Sequence, residues 1–286
     1  MSRVLITGAS GFIGSRLVAR LAPDHRVIAM SRKPCVGAQV QVLGDFSSFE
    51  SLRQLDAHPI DAVVHLAGEV GGTSEEAGLS TNVLGTRRLL RYLSDRGCRK
   101  FVLASSIAAT GCLHAGFVPQ ALPVSDTHPC MALDAYGLSK SMVEQLAAYF
   151  ARSVAGGEFT CLRFGWVMYS SRKQMPWSTV QAPPALPFLY FGQVAADDVL
   201  DGICAVLGAA VRPGAAVYNL VGPNVRSAEA VADVLRAVLA GRAAYPGLHA
   251  YESTGASSPP VFAMDALRDD YGFSPSRSVC DPDPVT

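Results

Sequence analysis

Apolar positions along the chain fall into two alternating patterns. Short continuous runs read as strands: "RVLIT" (3–7), "RVIAM" (26–30), "VQVL" (40–43), "DAVVHLA" (61–67), "KFVLASS" (100–106) and "FTCLRFG" (159–165). Between them, apolar residues recur every three or four positions, as Phe12, Ile13, Leu17, Val18 and Leu21 do across 12–22. That spacing predicts helices at 12–22, at 47–55 with a serine cap, at 80–97 ending on a glycine, and at 136–154. Strands that are apolar throughout, rather than alternating, are expected in a parallel sheet covered on both faces. The pattern therefore predicts an α/β fold with a doubly wound parallel sheet.

After Gly165 the rhythm changes. Residues 170–190 are rich in proline, serine and aromatics and read as a long loop. Helical runs at 196–208 and 227–240 flank the strand-like "AVYNLVG" (216–222), and 263–271 reads as a last short helix. The expected organisation is a sheet domain over 1–165, to which 193–222 partly returns, and a smaller lobe over 166–286. The tail "PSRSVCDPDPVT" is expected to fray.

Composition removes several function classes. The formal net charge is zero, which gives no electrostatic reason to expect nucleic acid or an anionic membrane as partner. No apolar stretch approaches the roughly 18 residues of a spanning helix, and no signal-peptide core is visible. Seven scattered cysteines without a C-x-x-C pair read as reduced thiols of a cytoplasmic protein. The histidines have no ligand spacing, "HPC" (128–130) reads as a loop, and no metal is expected.

Two stretches carry chemistry. "TGASGFIG" (7–14) sits between the first strand and the first helix. Gly8 permits a tight turn, Gly11 lets backbone approach a pyrophosphate, and Gly14 lets the helix pack close to the sheet, with Phe12 and Ile13 at its N-terminus. The expected fold is thus Rossmann-type. "DAYGLSKSM" (134–142) places Tyr136 and Lys140 one helical turn apart. With nine tyrosines and four lysines in the chain, about 0.13 such pairs are expected by chance. The alternative is a solvated surface lysine.

These motifs, in order, resemble the extended short-chain dehydrogenase/reductase family, in its NAD-dependent epimerase/dehydratase branch. "HLAG" (65–68), "NVLGT" (82–86), "SSIAATG" (105–111), "LRFG" (162–165), "DDV" (197–199) and "YNLVG" (218–222) are similar to further landmarks of that family. The resemblance implies a nicotinamide dinucleotide on the sheet, with Leu66, Ala67 and Gly68 beside it and Asp45 bonding adenine next to Phe46. It implies Tyr136 as acid/base, Lys140 holding the ribose, Ser106 as the second hydroxyl on the substrate oxygen, and Asn82 holding the long helix or a water near the lysine. Ser105 and Ser106 should alternate faces, so one alone should reach the pocket; the alternative is that both merely cap the strand end. An ammonium about 4 Å from the phenol contributes roughly 4 kcal/mol at an effective dielectric near 20. With the charge of oxidised nicotinamide it would lower the tyrosine's pKa toward a working range. In many members of the family the helices matching 80–97 and 136–154 form a dimer face, so the resemblance allows a homodimer and leaves the oligomeric state open.

After the second strand the chain reads "IAMSRKP" (28–34), without a carboxylate. Ser31 and Arg32, assisted by Lys33 and Arg16, suit a 2′-phosphate and favour NADP(H). The alternative is NAD(H), with Arg32 stacked on adenine. Departures from the family bear on the substrate. Thr110 stands where the family has tyrosine, and no acidic pair follows Ser106, which argues against a 4,6-dehydratase. The Y-G-P stretch after "LRFGWVMYS" is missing, as is a basic cluster for a nucleotide diphosphate beyond Arg172 and Lys173. Thr110, Phe164, Trp166, Met175 and Trp177, with Met168 and Phe188, are candidates for a partly apolar substrate pocket; ordinary core packing is the alternative. The expected activity is a hydride transfer between nicotinamide and a small-molecule carbonyl or carbinol, as an NADPH-dependent ketone reductase. The alternatives are an epimerase with tightly held NAD and, more remotely, a non-catalytic dinucleotide sensor.

Overall fold

The computed structural model describes residues 1–168, 179–180, 185–239, 245–252 and 259–280. Seven strands form one parallel sheet: β1 (Arg3–Thr7), β2 (Arg26–Ser31), β3 (Val40–Leu43), β4 (Ala62–His65), β5 (Lys100–Ser106), β6 (Glu158–Phe164) and, beyond a small second sheet, β9 (Gly214–Leu220). Their spatial order is β3-β2-β1-β4-β5-β6-β9. The order reverses between β1 and β4, and a crevice opens at such a switch point beyond the strands' C-terminal ends. The second sheet pairs β7 (Trp166–Met168) with β8 (Gln193–Ala195) in parallel.

Period-two alternation sends each strand's side chains to opposite faces. Val4, Ile6, Val27 and Ala29 enter one core with α1 (Phe12–Leu21), while Leu5, Ile28, Met30, Phe101 and Leu103 enter the other. That is why these strands read as continuous apolar runs. The second core includes Leu52 of α2 (Phe49–Arg53). α2 is shorter than the expected 47–55, continues as a 3₁₀ turn over Gln54–Ala57, and takes no side-chain bond from Ser48 at its N-cap.

The expected helix at 80–97 is composite. α3 (Glu75–Ala77) runs into a π-helical stretch, Gly78–Gly85, and then α4 (Thr86–Ser94), before Gly97 turns the chain at φ +90°. α5 (Ala135–Ser153) is capped by Asp134, whose carboxylate accepts from the Gly137 N–H. The later helices are α6 (Pro187–Phe191), α7 (Ala196–Gly208), α8 (Val231–Val238) and α9 (Asp265–Tyr271). α7 and α9 join the α1 core through Val199, Ile203 and Leu267. A third core gathers Ile107, Phe117, Leu122, Phe188, Phe191, Leu235 and Phe262. A backbone bridge between Val124 and Phe262 ties the 112–134 connection to this part of the chain.

The described part of the tail is anchored rather than frayed. Arg277 Nη1 pairs with Asp198 Oδ1 at 2.6 Å and Asp201 Oδ2 at 2.7 Å, and the Val279 N–H donates to Asn224 Oδ1. Buried Asp198 has a local ion partner, and that outweighs the tail's loop-like composition. All seven cysteines are free. Among the described residues no helix is long and apolar enough to cross a membrane.

Candidate active site

A cavity of about 900 Å³ opens over the C-terminal ends of β1, β2, β4, β5 and β6. Its floor is the turn after β1. Gly8 adopts φ +70°, and a Cβ there would lie 2.7 Å from the Ala67 nitrogen. A Cβ on Gly14 would lie 2.2 Å from the Gly8 carbonyl oxygen, so α1 packs against the turn at a distance only glycine allows. Gly11 is the α1 N-cap, so no side chain occupies the place a phosphate would take. This backbone cradle fits a dinucleotide pyrophosphate.

The cavity gathers most of the expected site residues. Gly8, Gly11, Phe12, Ile13, Gly14, Ser31, Arg32, Asp45, Phe46, Leu66, Ala67, Gly68, Ser106, Tyr136, Lys140 and Phe164 all line it. Lys33 lines it too, next to Arg32. Ser31 Oγ donates to the Lys33 carbonyl at 2.6 Å and so shapes the turn after β2. Asp45 is occupied locally, accepting from Ser47 N and Ser47 Oγ, both at 2.8 Å. Arg16 does not line the cavity; its guanidinium lies over the Phe12 ring at 4.2 Å and donates to the Phe12 carbonyl.

Ser105 and Ser106 turn their hydroxyls to different partners, but both residues line the cavity, so the expectation that one alone would reach it does not hold. Ser105 is buried and donates to Glu144 Oε1 at 2.6 Å. Ser106 Oγ accepts from the Ala108 N–H at 3.1 Å, which leaves its hydroxyl proton to donate, and it lines the cavity with Tyr136. Burial pushes the Tyr136 phenol above its ordinary value, and Ser106 works against that. This differs from the lowering expected from Lys140. Lys140 Nζ lies 5.7 Å from the Tyr136 ring centroid and donates to the Ala104 carbonyl at 2.8 Å. Burial brings Lys140 itself down to about 8, with Cys161 and Glu144 opposing. Lowering the phenol thus takes more charge than the protein's own groups supply.

Asn82 lies below the cavity wall rather than on it. From the π-helical stretch its Oδ1 accepts from the Glu69 N–H at 2.7 Å, while Nδ2 donates to the Glu69 carbonyl and to Ser139 Oγ. One buried amide thereby joins the loop after β4 to α5. Thr110, expected near the substrate, is fully buried and turns its hydroxyl onto the Ile107 carbonyl at 2.7 Å. The 3₁₀ turn at Ile107–Thr110 claims the side chain that a straight strand would have pointed outward. Trp166 packs beside Tyr190 and its neighbours Gly165 and Val167 line the cavity instead. Met175 and Trp177, with Arg172 and Lys173, lie outside the described residues.

Two features escaped the sequence reading. His65 is buried between hydroxyls, Nδ1 at 2.6 Å from Thr7 Oγ1 and Nε2 at 2.8 Å from Thr86 Oγ1. Burial, reinforced by the Lys140 charge, pushes it down to about 3. Thr7 and His65 are partners in the β1–β4 register, a relation that only the strand pairing reveals. The second feature is the ion pair Glu144–Arg163 behind Ser105, signalled in the sequence by Glu144 lying one turn beyond Lys140. No group of three or more His, Cys, Asp or Glu among the described residues could hold a metal ion.

Residues 4–180 match the model of the NAD dependent epimerase/dehydratase family. The chain belongs to that family. Membership agrees with the extended short-chain dehydrogenase/reductase resemblance of the motifs. Within the NAD dependent epimerase/dehydratase family, a UDP-glucose 4-epimerase of Halalkalibacterium halodurans is 28% identical over 172 residues, which cover 56% of this chain and 49% of that protein. The chain thus spans about half the length of the curated relatives it matches. Among solved structures, MoeE5 in complex with UDP-glucuronic acid and NAD superposes with a TM-score of 0.69 at 23% identity, covering 97% of this chain and 95% of that one. Uronate dehydrogenase from Agrobacterium tumefaciens gives 0.62 at 25% identity, covering 78% of each chain.

Proposed function

We propose that this family member is an NAD(P)-dependent oxidoreductase that moves hydride between nicotinamide and a carbonyl or carbinol of a small molecule. The observation that carries this is the convergence of Ser106, Tyr136 and Lys140 with the glycine cradle on one cavity. Gly8, Gly11 and Gly14 would hold the pyrophosphate, Asp45 and Phe46 the adenine, and Lys140 the nicotinamide ribose. When bound, the nicotinamide accepts or gives the hydride. Ser106 orients the substrate oxygen, and Tyr136 gives or takes the proton on it. Lys140, held on the Ala104 carbonyl, presents its charge to the phenol side of the cavity. The 166–286 lobe would supply substrate contacts, including Val167 beside Phe164.

Ser31, Arg32 and Lys33 at the cavity's β2 edge support NADP(H), because that edge offers a cation where a carboxylate would repel a 2′-phosphate. NAD is the other outcome, since the MoeE5 structure named above holds NAD. For direction of reaction, a net ketone reduction is the first reading. An epimerase is the second, favoured by the name of the curated relative. The exposed apolar residues Leu84, Met142 and Tyr149 on the π-helical stretch and α5 support a homodimer through those helices.

The test follows nicotinamide absorbance with UDP-hexoses, free uronic sugars and small ketones, supplying NAD(H) and NADP(H) separately. Net consumption or production of reduced cofactor supports the dehydrogenase reading. A hexose epimer formed without net absorbance change supports the epimerase reading. Failure to bind either dinucleotide would refute both.

A further inference from the structure

Behind the cavity lies a buried polar cluster that the proposed chemistry does not use. Glu144 and Arg163 form a two-pronged pair, with Nε to Oε1 and Nη2 to Oε2 both at 2.8 Å. Both side chains are almost fully buried, at 4% and 3% exposure. Ser105 Oγ donates to the same Glu144 Oε1 at 2.6 Å, and Cys130 Sγ reaches Oε2 at 3.3 Å. Arg163 Nη1 goes on to the Asp126 carbonyl. A pair this deeply buried gives little net stability over apolar packing, because desolvating two ions offsets most of their attraction. Its placement gives it another use.

Glu144 sits on α5, one turn beyond Lys140 and two beyond Tyr136. Ser105 sits on β5 between Ala104 and Ser106. Its neighbour Ala104 offers the carbonyl that holds Lys140, and its neighbour Ser106 lines the cavity with Tyr136. Arg163 anchors the carboxylate from β6, which pairs with β5 at Ser105↔Arg163. We infer that Glu144, Arg163 and Ser105 are positioning residues, a buried clamp that fixes the α5–β5 separation and so the geometry of Tyr136, Ser106 and Lys140. This rests on the catalytic reading of those three residues. An error of about 1 Å in such geometry is enough to slow a reaction about a hundredfold without weakening binding.

The groups facing Lys140 are Tyr136 and Glu144 from α5, His65 from β4 and Cys161 from β6. Removing the Glu144 charge also leaves the Arg163 cation uncompensated, and both changes disfavour a proton on Lys140. The experiment uses the full chain as Glu144→Gln, Ser105→Ala and Tyr136→Phe, with unfolding followed in each. Affinity for the reduced dinucleotide that the wild type binds, kcat on a substrate it accepts, and the titration of carbon-labelled lysine are measured. The chain has only four lysines (33, 100, 140 and 173), so the spectrum is simple.

The clamp predicts kcat lower by about tenfold in Ser105→Ala and about a hundredfold in Glu144→Gln, with dinucleotide affinity changed less than about twofold. It also predicts a Lys140 midpoint below the wild-type value of about 8 in Glu144→Gln and unchanged in Ser105→Ala. A purely structural pair would lower unfolding temperature and leave kcat alone, whatever the loss of the Glu144 charge does to the lysine midpoint, and that result overturns the inference. Should Glu144→Gln fail to fold, Ser105→Ala decides through kcat. Full activity in Tyr136→Phe would count against the catalytic reading instead, whereas full kcat in Glu144→Gln and Ser105→Ala beside an inactive Tyr136→Phe would count against the clamp alone.

Discussion

At the scale of single residues, charge is set by burial as much as by partners. His65 is held neutral at about 3 although an unfolded histidine titrates near 6.5. The folded value lies below the unfolded one, so the unfolded chain binds the extra proton as pH falls. The stability His65 contributes is therefore complete above about pH 6.5 and is lost on the way down toward about 3. Between about pH 7 and about pH 5 the loss from this residue is about 2 kcal/mol, measurable by urea unfolding, and His65→Asn should show a correspondingly smaller drop. Arg32 makes the second prediction at this scale. If it meets a 2′-phosphate, Arg32→Ala should weaken NADPH binding by about tenfold and leave NADH within about threefold, read by fluorescence titration. Equal losses for both cofactors would favour stacking on adenine. What the sequence reveals of these residues differs in kind. That Tyr136, Lys140 and Ser106 share the cavity is legible because their signal is local: a four-residue spacing on a helix, and a hydroxyl at a strand end. Thr110 is not, because a 3₁₀ turn redirects its hydroxyl to the Ile107 carbonyl.

At the scale of elements, the turn after β1 and the composite helix from Glu75 to Ser94 hold the site's shape. Gly14→Ala forces a Cβ to 2.2 Å from the Gly8 carbonyl, so α1 must retreat from the turn. The strain of such overpacking is about 1–3 kcal/mol. The expected outcome is a lower unfolding temperature together with at least about tenfold weaker dinucleotide binding, since the displaced N–H groups are those proposed to hold the pyrophosphate. Strands and helices were readable because periodicity is a property of the chain alone. The π-helical stretch was not, since "STNVLGT" keeps a helical pattern whichever carbonyl each N–H selects. The choice follows Asn82, whose three bonds to Glu69 and Ser139 depend on where the loop after β4 and α5 come to rest. π-helical turns of this kind are frequent at functional sites.

Across the whole molecule, polar clusters stand at both ends of the sheet. At the N-terminal ends of β5 and β6, far along the strands from the cavity, Lys100 and Glu158 pair at 3.4 Å with almost no exposure. Tyr271 of α9 donates to the same carboxylate at 3.0 Å. Lys100→Met leaves Glu158 buried without its cation and should cost about 3 kcal/mol in urea unfolding, with dinucleotide affinity unchanged. The parallel sheet follows from the alternation of strands and helices, whereas its strand order and switch point are set by which strands pair. The third core and the anchored tail do not, because they depend on meetings such as Val124 with Phe262 and Arg277 with Asp198. The account as a whole turns on a proton passing through Tyr136. The direct measurement is hydride transfer in Tyr136→Phe against wild type, followed by nicotinamide absorbance at saturating cofactor on an accepted substrate. Loss of at least about a hundredfold in rate, with cofactor affinity preserved, is the predicted result; a variant that turns over at the wild-type rate would contradict it.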